Sequence, residues 1–391
     1  MNKPAFRSVS GFALVLVIAL LALAVLTILA LSTLTRTNTS IAQSSEYQVQ
    51  ARQNALMALG VAFGELQRTA GKDDVLTGIA GIAGAPAGAG SRARHWSGIW
   101  SSERQFITWL ATGASGSGFP DLSSGLPLVS TASLGADATD REHVSVLRLP
   151  VYSRSSQGDE FESGGYAYWI GDEGVKLSTV LRDTQSPIPG LKHAIDQQFV
   201  GLSPVAANLQ SVIAYEQIRL AGATTAQRQG GFHSHSRTHS SVLGSSLIEG
   251  LLNVNSTSVR YWTGVGATLS RNNPAVAGSM TAAQFGSDAA GLAGRPYRTV
   301  DDFLSALSPR LTARSVSPTA FASAMRPWLT TRSDTFRIRA YGDSVAQGAQ
   351  RNPQSTAYCE AIVQRTPEMM PDGSGRRFVV TYFRWLGPGD I

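Results

Sequence analysis

Three histidines in ten residues are the first group with metal-ligating chemistry. In "GFHSHSRTHS", His233, His235 and His239 stand at i, i+2 and i+6. Three imidazoles suit Zn²⁺ or Ni²⁺. No carboxylate is near in sequence, and the flanking residues are Ser, Gly and Gln, so a polar loop rich in His accounts for the pattern without a metal. Asp172 and Glu173 form an acidic pair followed by Gly174. A bound Ca²⁺ is one reading of the pair, but two carboxylates are too few to claim it, and the glycine makes a turn the default. Cys359 is the single cysteine, which excludes an intramolecular disulfide framework and a Cys-rich metal centre. It reads as a small apolar core residue. The sequence contains no G-x-S-x-G, H-E-x-x-H, Walker A or dinucleotide fingerprint. The expectation is therefore a protein that is not an enzyme, with no catalytic residues, resident metal or cofactor.

Composition points the same way. Charged residues make up 15% of the 391 positions, 39 are Gly, and the net charge is +6. The arginines are scattered rather than blocked, so no nucleic-acid partner is expected. The balance suits a loop-rich extracytoplasmic chain.

The strongest signal is N-terminal. From Phe12 to Leu31 every residue except Thr27 is apolar, with Lys3 and Arg7 before the run and Arg36 after it. About twenty such residues cross a hydrocarbon core of roughly 30 Å as a helix. The basic flank predicts a cytoplasmic N-terminus and an exported bulk. Three readings compete. A secretory signal would be cut near Ala22-Leu23-Ala24, but the apolar run continues past that point. A plain anchor explains the length but not the short basic leader ending in Gly. The third is a prepilin-type leader cut between Gly11 and Phe12, because "SGFALVLVIALLALAVLTIL" resembles prepilin N-termini. By that resemblance the fifth mature position, usually Glu, is Leu16 here. The Glu pairs with a neighbouring subunit's N-terminal amine during assembly. Its absence resembles the K-type minor pseudopilins of type II secretion systems, which sit at the tip.

Beyond Arg36 the chain stays free of Pro up to Pro86. Tyr47, Ala51, Ala55, Ala58/Leu59, Ala62/Phe63 and Leu66 form one apolar stripe, and Gly71 is a stop signal. Phe12–Ala70 as one helix would be roughly 88 Å long. Residues 71–92 read as a flexible Gly/Ala connection, within a Gly/Ser-rich stretch to 140. Trp96, Trp100, Phe106 and Trp109 are expected to dock on the long helix. Strands follow at "VSVLRLPVYS" and "GYAYWIGD", and a helix at Ser203–Gly222 is expected with Pro204 in its first turn. "SLIEGLLNVN" reads as a short helix or turn, and "YRTVDDFLSALSPRL" as a helix capped by Thr299 or Asp301. "DTFRIRAYG", "TAYCEAIVQRT" and "RRFVVTYFRW" predict an antiparallel meander.

The motifs "ARQNALMALGVAFGELQRTAG", "YAYWIGDEGVKLS", "LTTRSDTFRIRAYGD", "YCEAIVQRTPEMM" and "RRFVVTYFRWLG" resemble, in order, the Verru_Chthon cassette protein A family of Verrucomicrobia. The resemblance covers most of the chain and is weakest at 190–290. The segment Asp172–Lys176 also resembles a turn near the first strands of K-type pseudopilins. Together these resemblances imply a pseudopilin-like minor subunit of an envelope apparatus related to type II secretion or type IV pili. Its implied partners are the prepilin-like subunits of the same cassette, a prepilin peptidase and the inner membrane, with the C-terminal domain periplasmic or on the cell surface.

The expected fold is α+β. A leader (1–11) precedes a pilin-like helix (12–70, transmembrane over 12–34), the connection (71–140), and a globular domain (141–391) of antiparallel sheet with a helical insertion at about 190–330. A membrane-anchored periplasmic binding or scaffold protein remains the alternative.

Overall fold

A computed structural model describes residues 10–83, 88–114, 116–134, 139, 142–178, 236–237, 252–346 and 352–391. Helix α1 is continuous over Ser10–Ala70, 61 residues. Its first part is bare, with every described side chain from 14 to 46 exposed. Thr27, the polar residue of the apolar run, donates its hydroxyl to the carbonyls of Leu23 and Ala24 at 3.1 and 2.8 Å. That leaves no bare hydroxyl in an apolar surrounding. The stretch is long and apolar enough to cross a membrane.

The second part of α1 buries the predicted stripe: Ala51, Ala55, Ala58, Ala62 and Leu66 are fully buried. Four alanines let the backbone lie close to the sheet beneath. Gly342 completes the approach, because a Cβ there would fall 2.1 Å from the Ala55 nitrogen. The helix ends at Gly71, whose carbonyl accepts from the Arg376 N–H at 2.8 Å and from Arg365 Nη2 at 2.9 Å.

Strands β1 (Val75–Ile79), β2 (Ser97–Ser101) and β3 (Phe106–Trp109) form a small antiparallel sheet. In the described parts of 71–92 a strand and 3-10 turns stand where the sequence predicts a flexible connection. "VLTGI" carries no clean alternation, and its strand state comes from pairing with β2. β4 (Leu126–Val129), the short helix α2 (Thr131–Leu134) and β5 (Val144–Val146) follow. The main sheet then opens with β6 (Leu149–Arg154) and β7 (Glu160–Asp172). β8 (Leu177–Ser178) pairs in parallel with β9 (Ser236–Arg237).

The chain leaves the main sheet after β7 and returns more than 150 residues later. After β8 and β9 the described chain resumes at β10 (Leu252–Asn253), followed by a turn at 254–255; the rest of the expected helix or turn over 246–255 lies outside the described residues. Helices α3 (Val259–Asn272), α4 (Pro274–Ala277), α5 (Ala282–Ala290), α6 (Val300–Ala313) and α7 (Pro318–Met325) follow, closed by β11 (Leu329–Thr330). They share one core around Trp262, Phe285, Phe303 and Phe321. α6 begins with a capping box of Thr299 and Asp302, so of the two expected caps Thr299 is the one used. The expected helix after Ser203 lies outside the described residues.

β12 (Thr335–Val345), β13 (Pro353–Met369) and β14 (Arg376–Leu386) are the expected meander. The five-stranded order is β14-β13-β12-β7-β6, antiparallel throughout. Phe336, Ile338, Ala340, Cys359 and Val363 face α1. Cys359 is a buried core residue, as expected, and burial pushes its thiol up to about 12, with Glu360 adding to the effect.

The other face of the sheet is covered too. Trp96, Trp100 and Trp109 pack with Leu128, Val144, Trp169 and Tyr341 in a cluster that contains no residue of α1. The aromatic segment does not dock on the long helix. Its rings find one another instead: Trp100 lies edge-on to Trp109 and Phe106, each at 5.7 Å. Gly98 permits this, since a Cβ there would meet both tryptophan rings at 2.6 Å.

Candidate functional site

The acidic pair singled out by sequence sits where the units of the fold meet. β7 ends at Asp172, and its Oδ1 accepts the Gly174 N–H at 2.8 Å, which tightens the turn. Gly174 is required, because a Cβ would lie 2.2 Å from Ser333 Oγ. The turn aims Glu173 and Lys176 inward, and both are buried. Glu173 Oε1 accepts from Lys176 Nζ at 2.7 Å and Arg337 Nε at 3.0 Å.

Arg337 continues the chain of charges to Glu360 Oε2 at 3.3 Å. Arg339 Nε reaches the same oxygen at 2.9 Å, and Arg384 bonds Oε1 through two nitrogens at 3.1 and 2.9 Å. Arg339 Nη1 also donates to the Leu128 carbonyl at 2.8 Å. The Arg face of the "FRIR" alternation is thus a dry ion network between two layers, not a solvated face.

Burial sets the electrostatics of this network. It opposes ionisation of Glu360, but Arg337, Arg339 and Arg384 outweigh it and hold that carboxyl well below the usual range. Burial pushes Lys176 and Arg339 down, against the pull of Glu173 and Glu360 respectively. It pushes Asp172 up to about 6, resisted by the Ser333 hydroxyl and the Gly174 N–H.

A neutral hub adjoins the charged one. Asn253 Nδ2 donates to Thr77 Oγ1 at 2.9 Å and Ser333 Oγ at 2.8 Å, and its backbone N–H donates to the Gly174 carbonyl at 3.2 Å. Asn255 accepts the Tyr297 N–H at 2.8 Å and donates to the Thr331 carbonyl at 3.2 Å. The residues on either side of the insertion are thereby tied to β1 and to the 172–176 turn. Sequence reading passed over Asn253 and Asn255. The available signal was two amides inside an apolar "LLNVN", a pattern that marks a buried polar position only once partners are known.

Chemically, the junction holds and orients. Its carboxylates face cations or hydroxyls, and a small cavity lined by Ile79, His95, Trp169, Asp172 and Lys176 opens beside it. Among the described residues no group of three or more His, Cys, Asp or Glu could hold a metal ion. Of the acidic pair, Glu173 is engaged by Lys176 and Arg337.

The other residues chosen from sequence are not brought together. Gly11 and Phe12 lie in the first turn of α1. Leu16 is on the bare helix, 52% exposed. His233, His235 and His239 lie outside the described residues. Compared with protein-family models, curated proteins and solved structures, the chain has no significant match.

Proposed function

We propose that this protein is a pseudopilin-like minor subunit, anchored in the inner membrane through α1, with its folded domain in the periplasm or at the cell surface. Its role is structural: it is cut between Gly11 and Phe12 by a prepilin peptidase and joins related prepilin-like subunits, with an initiating or tip position. One observation carries this reading. A single 61-residue helix has one half seated on an antiparallel sheet and the other half bare and apolar. A bare apolar half needs a bilayer or neighbouring helices around it. The resemblance of the motifs to the cassette family supports the identity of the partners, and Leu16 in place of an acid fits a subunit with nothing above it.

The N-terminal residue of the mature protein tests the reading. Mass spectrometry should find Phe12, and a Gly11→Ala change should abolish that start. A start at Met1 in the wild-type chain would sink the processing step. The second reading, a scaffold on a plain anchor, is favoured by the same Leu16. It predicts full function after replacement of residues 12–34 by an unrelated membrane span.

A further inference from the structure

The main sheet is wider than the helix that covers it. α1 lies over β12 and reaches β13 and β7 on either side, but barely touches β14. β14 is two strands away from β12, roughly 10 Å at about 4.8 Å per strand, which is one helix-packing distance. Val380, Phe383 and Trp385 pair with Val363, Ala361 and Cys359, so they share the face under α1. They are nevertheless 50%, 40% and 38% exposed.

The flank of α1 beside this floor is marked by two contacts. The Arg52 guanidinium lies 5.4 Å from the Trp385 ring centre, and Gln67 donates to the Arg376 carbonyl at 2.8 Å and accepts the Phe378 N–H at 2.9 Å. Leu56, 45% exposed, and the partly buried Phe63 fall on the same flank. Floor and wall form an apolar bay one helix wide, with no described residue over it.

Two features select the occupant. The flank does not stop at the bay: Leu31, Leu34, Ile41, Val49, Leu56 and Phe63 recur at three, seven or eight residues, one side of a helix from the membrane-crossing stretch outward. All except Phe63 are exposed. A helix that follows this seam runs parallel to α1 out of the same bilayer. The second feature is on the outer face of α1. Nothing lies within 4 Å of where a Cβ of Gly60 or Gly64 would be, and Met57 beside them is 39% exposed. Each glycine costs a helix interior about 1 kcal/mol relative to Ala, and no contact with a described residue explains that cost.

We propose that α1 of a second copy occupies the bay, in a parallel pair about a two-fold axis along the membrane normal. A two-fold places each helix in the other's bay and closes the assembly. It also brings a second copy's β14 over Gly60 and Gly64, where the missing side chains admit its aromatic rings. The pairing needs neither cleavage at Gly11 nor a filament, so it stands or falls separately from the function proposed above.

Cysteine cross-linking of the full chain in its native membranes tests this. Leu56→Cys faces the seam, Val49→Cys is an independent position on the same flank, and Val61→Cys lies on the opposite flank toward β7. The buried Cys359 stays silent. Mild oxidation should give a disulfide-linked species of twice the chain mass for Leu56→Cys and Val49→Cys. Val61→Cys should remain monomeric. Adding Phe383→Ser and Trp385→Ser should cut the yield at least about fivefold. Monomer alone from both seam variants would overturn the pairing. So would linkage to a protein of different mass, which would assign the bay to another anchored helix.

Discussion

Asp172 and Glu360 are both buried, and they titrate in opposite senses. Asp172 is raised from 3.8 to about 6 by burial. The folded chain therefore takes up this proton more readily than the unfolded chain, and stability rises as pH falls from about 7 toward about 4. A shift of that size corresponds to on the order of 3 kcal/mol. Glu360 is held down by three arginines, so its contribution is present above the ordinary carboxylate range and is lost in stronger acid. Urea unfolding of the detergent-solubilised protein should give a higher midpoint at pH 5 than at pH 7, and Asp172→Asn should flatten that rise. An unchanged slope in the variant would remove Asp172 as its source. Arg337 and Arg339, which face Glu360, stand in sequence on one face of an alternating strand, and the alternation does not say what covers that face. Only the layer formed by β4, β5 and the tryptophans makes them buried.

At the scale of elements, α1 is one helix with two supports. Residues 36–46 are exposed, largely polar, and include Thr37, Asn38, Thr39 and Ser40, which are poor helix formers. Residues 51–70 are held by Ala packing and by Gln67 and Asn54, the latter bonding the Asp343 carbonyl at 2.7 Å. Isolated helical segments of this length are marginal without tertiary contacts. Amide hydrogen exchange on the full chain should find 36–46 exchanging at least on the order of a hundredfold faster than 51–66. Equal protection would mean that something covers the polar stretch. Both halves of α1 were legible, because a 3.6-residue period and an apolar run are local signals. β1 was not, because a five-residue strand with a central Thr-Gly takes its state from β2 across the sheet.

For the whole molecule, the insertion matters most. Its helices have their own core, yet the bonds of Asn253 and Asn255 tie it to β1 and the 172–176 turn. Asn253→Ala leaves Thr77 and Ser333 without their shared donor inside the junction, a loss of about 1–3 kcal/mol. The variant should lose a single cooperative thermal transition and show the insertion melting first, followed by Trp262 fluorescence after the other tryptophans are replaced. One transition at an unshifted temperature would show that the hub does not couple the units.

The sequence alone determined the long helix, its membrane-length apolar half, the Ala stripe, the C-terminal meander, a helix start at Thr299 or Asp301 and the presence of a helical insertion. Each is written in residues close together along the chain, through period, propensity or capping. The tertiary structure alone decided that Val75–Ile79 and Ser97–Ser101 pair in a sheet, that the tryptophans pack away from α1, and that Arg337 and Arg339 are buried on Glu360. It also decided that Val380, Phe383 and Trp385 lie bare beside Leu56. These outcomes depend on which faces meet across long stretches of chain, and a face has no burial until its partner is in place.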